Sequence, residues 1–203
     1  MTNKKVYVVL SRTKTTLSRI IRYVKKIDYT HAAISLDENL DYMYSFGRKY
    51  AFNPFLGCFK HERMDRGLYD FYDYLPGMII ELEVDEDQYE TVISTIRAFL
   101  NNRKEYSYNL VGLVGSALNK PMKNDLRFFC SEFVYYVLNE SGICDFNKPR
   151  GLVSPTDFLG LKGRVVYQGN LKDYFYERRF TNVGERLESI YNIEAMNEFK
   201  ISY

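Results

Sequence analysis

The sequence predicts an α+β domain, an antiparallel sheet packed against helices, and three observations carry that prediction. Short β-rich runs alternate along the chain with amphipathic helical stretches. Two of the runs, Thr30 to Leu36 and Leu40 to Phe46, are separated by the turn Asp37-Glu38-Asn39 and read as a hairpin. A cysteine, Cys130, opens an amphipathic helix whose apolar positions are Phe133, Val134, Val137 and Leu138. At 203 residues with 46% apolar composition, the chain has enough material for one cored domain and an extension.

The elements follow in order. Val6 to Leu10 is the first strand. Residues 15–27 place Leu17, Ile20, Ile21, Val24 and Ile27 at helical spacing with Arg and Lys between them, an amphipathic helix with a basic outer face. The hairpin comes next, and Gly47 to Gly67 reads as irregular, with Asn53-Pro54 and Gly57 as breakers. Met78 to Val84 alternates apolar and acidic residues, a strand with one wet face. Asp85 and Gln88 form a capping-box signal for a helix whose apolar face is Tyr89, Val92, Ile93, Ile96, Phe99 and Leu100 and which Asn101-Asn102 ends. Leu110 to Leu118 reads as a buried helix leading to the Cys130 segment. The Cys130 helix ends at Ser141-Gly142, with Gly142 as a left-handed cap. Ser154-Pro155-Thr156-Asp157 starts a short helix with proline at its first position. Arg164 to Tyr167 is the last core strand. Residues 1–169 therefore read as one domain, and 170–203 are a polar extension that packs on it or mediates assembly into an oligomer.

Charge and cysteine content narrow the function classes. The net charge of +2 leaves no nucleic-acid footprint over the chain as a whole. The charge is uneven, however. Residues 1–30 hold eight Lys and Arg against Asp28, and residues 62–90 hold ten acids against Arg63 and Arg66. These segments face each other, or the basic one meets an anionic partner, with solvated faces as the default for both. Three cysteines, Cys58, Cys130 and Cys144, are too few and odd in number for a disulfide framework and fit a reducing compartment. The apolar run near the N-terminus is too short for a signal-peptide core, and no stretch approaches a membrane span. These features predict a soluble, cytoplasmic protein. Cys58 and His61 have too few Cys or His neighbours for a zinc site, so no metal ligands are expected.

His31 and Cys130 carry the chemistry. Only a thiolate attacks well, and a helix N-terminus and a nearby imidazolium both favour it. The buried face of the Cys130 helix pins the sulfur where a residue on the facing sheet reaches it. His31 shares a strand face with Ala33 and Ser35, small neighbours that leave room for a helix end and a substrate. The backbone N–H of Cys130 is placed to hold a developing oxyanion.

Four segments, 29–37, 43–48, 106–112 and 129–134, carry a resemblance to the permuted papain-like branch of the NlpC/P60 superfamily. That branch includes the YiiX-like and lecithin:retinol acyltransferase-like proteins. In it the histidine strand precedes the cysteine helix, as His31 precedes Cys130 here, and the resemblance covers roughly residues 5–160. It implies the permuted papain-like fold and a catalytic pair of Cys130 and His31. It also implies a third polar residue on the strand after the histidine, where Ser45 is best placed; Glu62, from the irregular segment, is the alternative. A serine hydroxyl fixes the ring but does not neutralise an imidazolium. By the same resemblance Tyr108 lies near the site; Tyr44 and Phe46 are candidates to line the groove, and Ser131 is a further substrate-binding candidate.

The expected function is a cysteine peptidase or amidase that passes through a thioester, needs no cofactor and acts on a small peptide or amide. Two alternatives stand beside it. A lipid-directed acyltransferase or thioesterase acting on a lipid ester or amide draws on the basic helix at 15–27 and the 19 Tyr and 14 Phe. A non-catalytic binding module draws on the weak third residue and the polar extension.

Overall fold

The apolar run near the N-terminus becomes β1 (Lys4–Ser11), an interior strand of a six-stranded sheet. A computed structural model describes residues 4–13, 28–50, 53–109, 115 and 126–181. β1 pairs antiparallel with β2 (His31–Ser35) on one side and β5 (Pro76–Val84) on the other. β3 (Met43–Tyr50) pairs with β2, and β4 (Asn53–Glu62) pairs with β3. β8 (Arg164–Asn170) closes the far edge on β5, giving the order β4-β3-β2-β1-β5-β8. Every pairing in this sheet is antiparallel. Between β5 and β8 come α1 (Glu86–Asn101), the parallel pair β6 (Ser107–Tyr108) and β7 (Arg127–Phe128), and α2 (Cys130–Glu140). A further helix, α3, runs over 171–181. The α+β class and the antiparallel sheet packed against helices are therefore present.

The period of two along each strand divides the core. Val8, Leu10, Ala32, Ile34, Phe46, Ile80 and Leu82 share one buried cluster with Val92, Ile96 and Phe99 of α1 and Phe133, Val134 and Val137 of α2. Tyr7, Val9, Ala33, Met43 and Ile79 share the other with Leu171, Tyr174 and Phe175 of α3. The small residue Ala33 thus packs on the α3 side, so the face that carries His31 is not the face on which α2 lies. The start of the extension, expected to be polar and without a period, supplies three core residues.

Local signals account for the element ends. Asp85 accepts from the Gln88 N–H at 2.8 Å and Gln88 Oε1 accepts from the Asp85 N–H at 3.2 Å, closing the predicted capping box of α1. Gly142 has φ +65° and ends α2 as expected, with its N–H donating to the Asn139 carbonyl at 2.9 Å. In the hairpin turn Asp37 accepts from the N–H groups of Asp41 and Tyr42 at 3.1 and 2.7 Å. Pro155–Gly160 is a 3-10 helix whose first residue is the predicted proline. The basic and acidic segments do meet in places, as Lys4 pairs with Glu86 at 3.4 Å and Lys5 with Glu81 at 3.1 Å.

The segment expected to be irregular differs most. β3 runs on to Tyr50, and residues 53–62 form a full strand. β4 is an edge strand, and an edge tolerates proline near its start because an unpaired N–H is not missed there. The basic helix at 15–27 lies outside the described residues. So does the helix at 110–118, apart from residue 115, which is helical. Among the described residues no helix is long and apolar enough to cross a membrane.

Gly77 pins α3 to the sheet. A Cβ there would collide with Leu171 Cδ1 and sit 2.5 Å from the Leu10 carbonyl oxygen, and the backbone atom has no room to yield. Gly77→Ala is expected to cost about 1–3 kcal/mol of unfolding free energy, measured by urea denaturation, as overpacking does elsewhere.

Candidate active site

The sheet splits beside β2. β2 and β3 pair only at Ile34↔Tyr44 and Ser35↔Met43, whereas β3 stays paired with β4 from Met43↔Glu62 to Tyr50↔Asn53. The two halves therefore diverge toward His31, the first residue of β2. α2 packs on both β2 and β3. Its first residue, Cys130, comes near enough to the His31 ring at this divergence for its charge to act on the imidazole. This is how a helix on one face meets a histidine whose strand parity belongs to the other.

Register places the other polar groups. Glu62 lies opposite Met43, and Lys60 lies opposite Ser45, so Ser45, Lys60 and Glu62 share the His31 face. His31 Nε2 and Glu62 Oε2 are 3.0 Å apart, and the Ser45 hydroxyl lies 3.4 Å from the same nitrogen. Glu62 Oε2 also accepts from the Tyr69 hydroxyl at 2.9 Å, and Lys60 Nζ stands 3.4 Å from Oε1. Tyr69 sits on the 3-10 turn Tyr69–Phe71, and its ring meets the His31 ring edge-on at 6.3 Å. The Glu62 side chain is 3% exposed and that of His31 13%, so water screens this pair poorly.

Electrostatics follow from that burial. Desolvation alone would lower the imidazole pKa, but the charge of Glu62, then that of Cys130, outweighs it and pushes His31 up to about 10. Burial alone would raise the Glu62 carboxyl, but His31 and Lys60 hold it well below the usual carboxylate range. Burial first, and then the Glu62 charge, keeps the Tyr69 phenol protonated well above its ordinary value. At the other end of α2, burial with the charge of Asp145 pushes the Cys144 thiol up to about 11.

The first turn of α2 is held from the side. Its N-cap, Phe129, has no side-chain acceptor, and Glu132 instead accepts from the Phe129 N–H at 3.3 Å. The same buried carboxylate accepts from Asn109 Nδ2 at 3.3 Å and Arg150 Nε at 3.0 Å. Burial raises the Glu132 pKa, against the lowering effect of Arg150. Arg150 stacks 4.4 Å from the Phe128 ring. The residues flanking Cys130 are thereby tied to β6, β7 and the 3-10 turn Arg150–Leu152.

Of the predicted residues, the fold brings Cys130, His31 and Ser45 together and adds Glu62. Glu62 comes from the end of a strand and not from a loop. Tyr44 and Phe46 lie on the opposite sheet face. Tyr44 stacks on Phe59 at 6.0 Å, and Phe46 is fully buried against Phe99, Phe128 and Phe133. Ser131 is buried and donates to the Val153 carbonyl at 2.6 Å, a bond that ties α2 to the following segment. The described placement of Tyr108 is that of its backbone, on β6 opposite Phe128. Among the described residues no group of three or more His, Cys, Asp or Glu could hold a metal ion. Tyr69 was not anticipated. The alternation of Lys60 and Glu62 against Phe59 and His61 was the available sign of a strand, whereas nothing local marks Tyr69.

No protein-family model, no curated protein and no solved structure matches the chain.

The buried pair makes stability depend on pH. Glu62, depressed in the fold, contributes stability above about pH 4.3 that is lost as pH falls through its folded value. His31, raised in the fold, contributes fully below about pH 6.5 and loses that contribution as pH climbs toward its raised value. In a Cys130→Ala chain, which removes thiol ionisation, urea unfolding free energy is expected to decline from pH 7 to 10. Adding Glu62→Gln should flatten that decline. Parallel profiles for the two chains would contradict the assignment.

Proposed function

We propose that this chain is a cysteine-dependent hydrolase of amide bonds, an amidase or peptidase working through Cys130 and His31. The observation that carries the reading is the position of His31, beside Cys130 on one side and bonded to the buried Glu62 carboxylate on the other. A histidine ring has two nitrogens. With Nε2 engaged by Glu62, Nδ1 is the one left to face sulfur. Glu62 takes the orienting role first assigned to Ser45, because a carboxylate both fixes the ring and balances its charge. Ser45 supports it from 3.4 Å.

In the proposed reaction the Cys130 thiolate adds to the substrate carbonyl carbon, forming the S–C bond and moving the carbonyl π pair onto oxygen. The Cys130 backbone N–H, at the helix N-terminus, donates to that oxyanion. When the tetrahedral species collapses the C–N bond breaks, and His31 gives its proton to the leaving amine. The resulting neutral His31 then takes a proton from water as the oxygen attacks the thioester. The C–S bond breaks, the acid leaves, and the thiolate–imidazolium pair is restored. Neither metal nor organic cofactor enters these steps.

The four sequence segments and the His-before-Cys order support assignment to the permuted papain-like branch of the NlpC/P60 superfamily, with residues 1–169 as the catalytic domain. The packing of Leu171, Tyr174 and Phe175 favours an extension that folds back on its own sheet.

The test is the pH dependence of iodoacetamide alkylation, read by mass spectrometry, with Cys144 as internal control. Cys130 is expected to label at neutral pH at least about tenfold faster than Cys144, and His31→Ala should remove that advantage. Equal labelling, indifferent to His31, would leave a binding module in place of an enzyme.

A further inference from the structure

We infer that Tyr69 is a positioning residue for the reaction, holding the Glu62 carboxylate in the orientation that directs His31 toward Cys130; this rests on the hydrolase reading above. Glu62 Oε2 accepts from two groups at once, His31 Nε2 at 3.0 Å and the Tyr69 hydroxyl at 2.9 Å. The terminal torsion of a glutamate is soft. Neither Ser45 nor Lys60 fixes Oε2 alone. Ser45 lies beside both the His31 ring and the carboxylate, and Lys60 stands at the other oxygen, Oε1. Two donors on one oxygen fix both its position and its lone-pair directions, and the histidine ring follows.

Tyr69 suits this role in three respects. Its side chain is 3% exposed, so no bulk water competes for the hydroxyl. It packs among Met43, Met64 and Leu75, and its ring lies edge-on to His31, so the hydroxyl is aimed by packing and not by chance. A phenol that stays protonated across the working range keeps its O–H for donation to the carboxylate, which can only accept. The fully buried Ser11 hydroxyl, opposite His31 on β1, lies beside the Tyr69 hydroxyl without a well-formed hydrogen bond of its own. The polar cluster therefore extends from β1 through Tyr69 to Glu62 and His31, and Tyr69 links its two halves.

Tyr69→Phe removes one hydroxyl and leaves the ring. Cys130 alkylation at pH 7 is expected to fall roughly threefold to tenfold, the size of one ordinary net hydrogen bond. In a Glu62→Gln background the same substitution should change the rate by less than about twofold, because the carboxylate it acts through is gone. A purely structural tyrosine would lose the same factor in both backgrounds. A wild-type rate in Tyr69→Phe, or equal losses in the two backgrounds, overturns the inference while the His31→Ala effect leaves the hydrolase reading standing. Loss of the His31→Ala effect itself overturns both. If Tyr69→Phe does not fold, the wild-type chain carries the test through the Tyr69 hydroxyl proton. Its resonance should be downfield and slow to exchange, and it should disappear in Glu62→Gln; persistence there contradicts the role.

Discussion

The ion pair between His31 and Glu62 is the constraint on which the rest of the site depends. Two opposite charges buried side by side survive only when their geometry is good and their remaining valences are filled. Here the carboxylate takes the His31 ring and the Tyr69 hydroxyl on one oxygen and faces Lys60 at the other. These groups come from three parts of the chain: the start of β2, the end of β4 with Lys60 and Glu62, and the turn beyond it with Tyr69. A shift of one residue in the β3–β4 register would move Lys60 and Glu62 to the wrong face together. The edge strand therefore serves the site as much as the sheet.

A second constraint joins the two sides of the sheet. α2 and α3 lie on opposite faces, and the cluster around Glu62 belongs to the α3 side. Only the early divergence of β2 from β3 lets the first residue of α2 reach His31. Glu132, Asn109 and Arg150 hold that helix end at its correct depth. The helix supplies the thiol, the sheet supplies the imidazole and the carboxylate, and the split between strands is where they meet.

Much of this was legible in the sequence because it is local. The capping box at Asp85, the glycine stop at Gly142, the Asp37 turn and the apolar faces of α1 and α2 depend on neighbours within a few residues. The nearness of Cys130 to His31 was legible from residue type and element order. What escaped is set at long range. Pro54 and Gly57 look like breakers until β4 is known to be an edge strand. Tyr44 and Phe46 sit beside Ser45 in sequence but project through the opposite face of the sheet. Ser131, next to Cys130, spends its hydroxyl on Val153. Tyr69 joins the site through a contact that no periodicity announces.

The most direct test of the central claim is the protonation state of the His31 ring, followed by nitrogen-15 NMR from pH 5 to 10. The chain has two histidines, so assignment by His61→Gln is simple. Glu62 is predicted to hold both ring nitrogens of His31 protonated through pH 8, with neutralisation only as pH approaches about 10. A His31 that titrates near its ordinary value of about 6.5 would contradict the account.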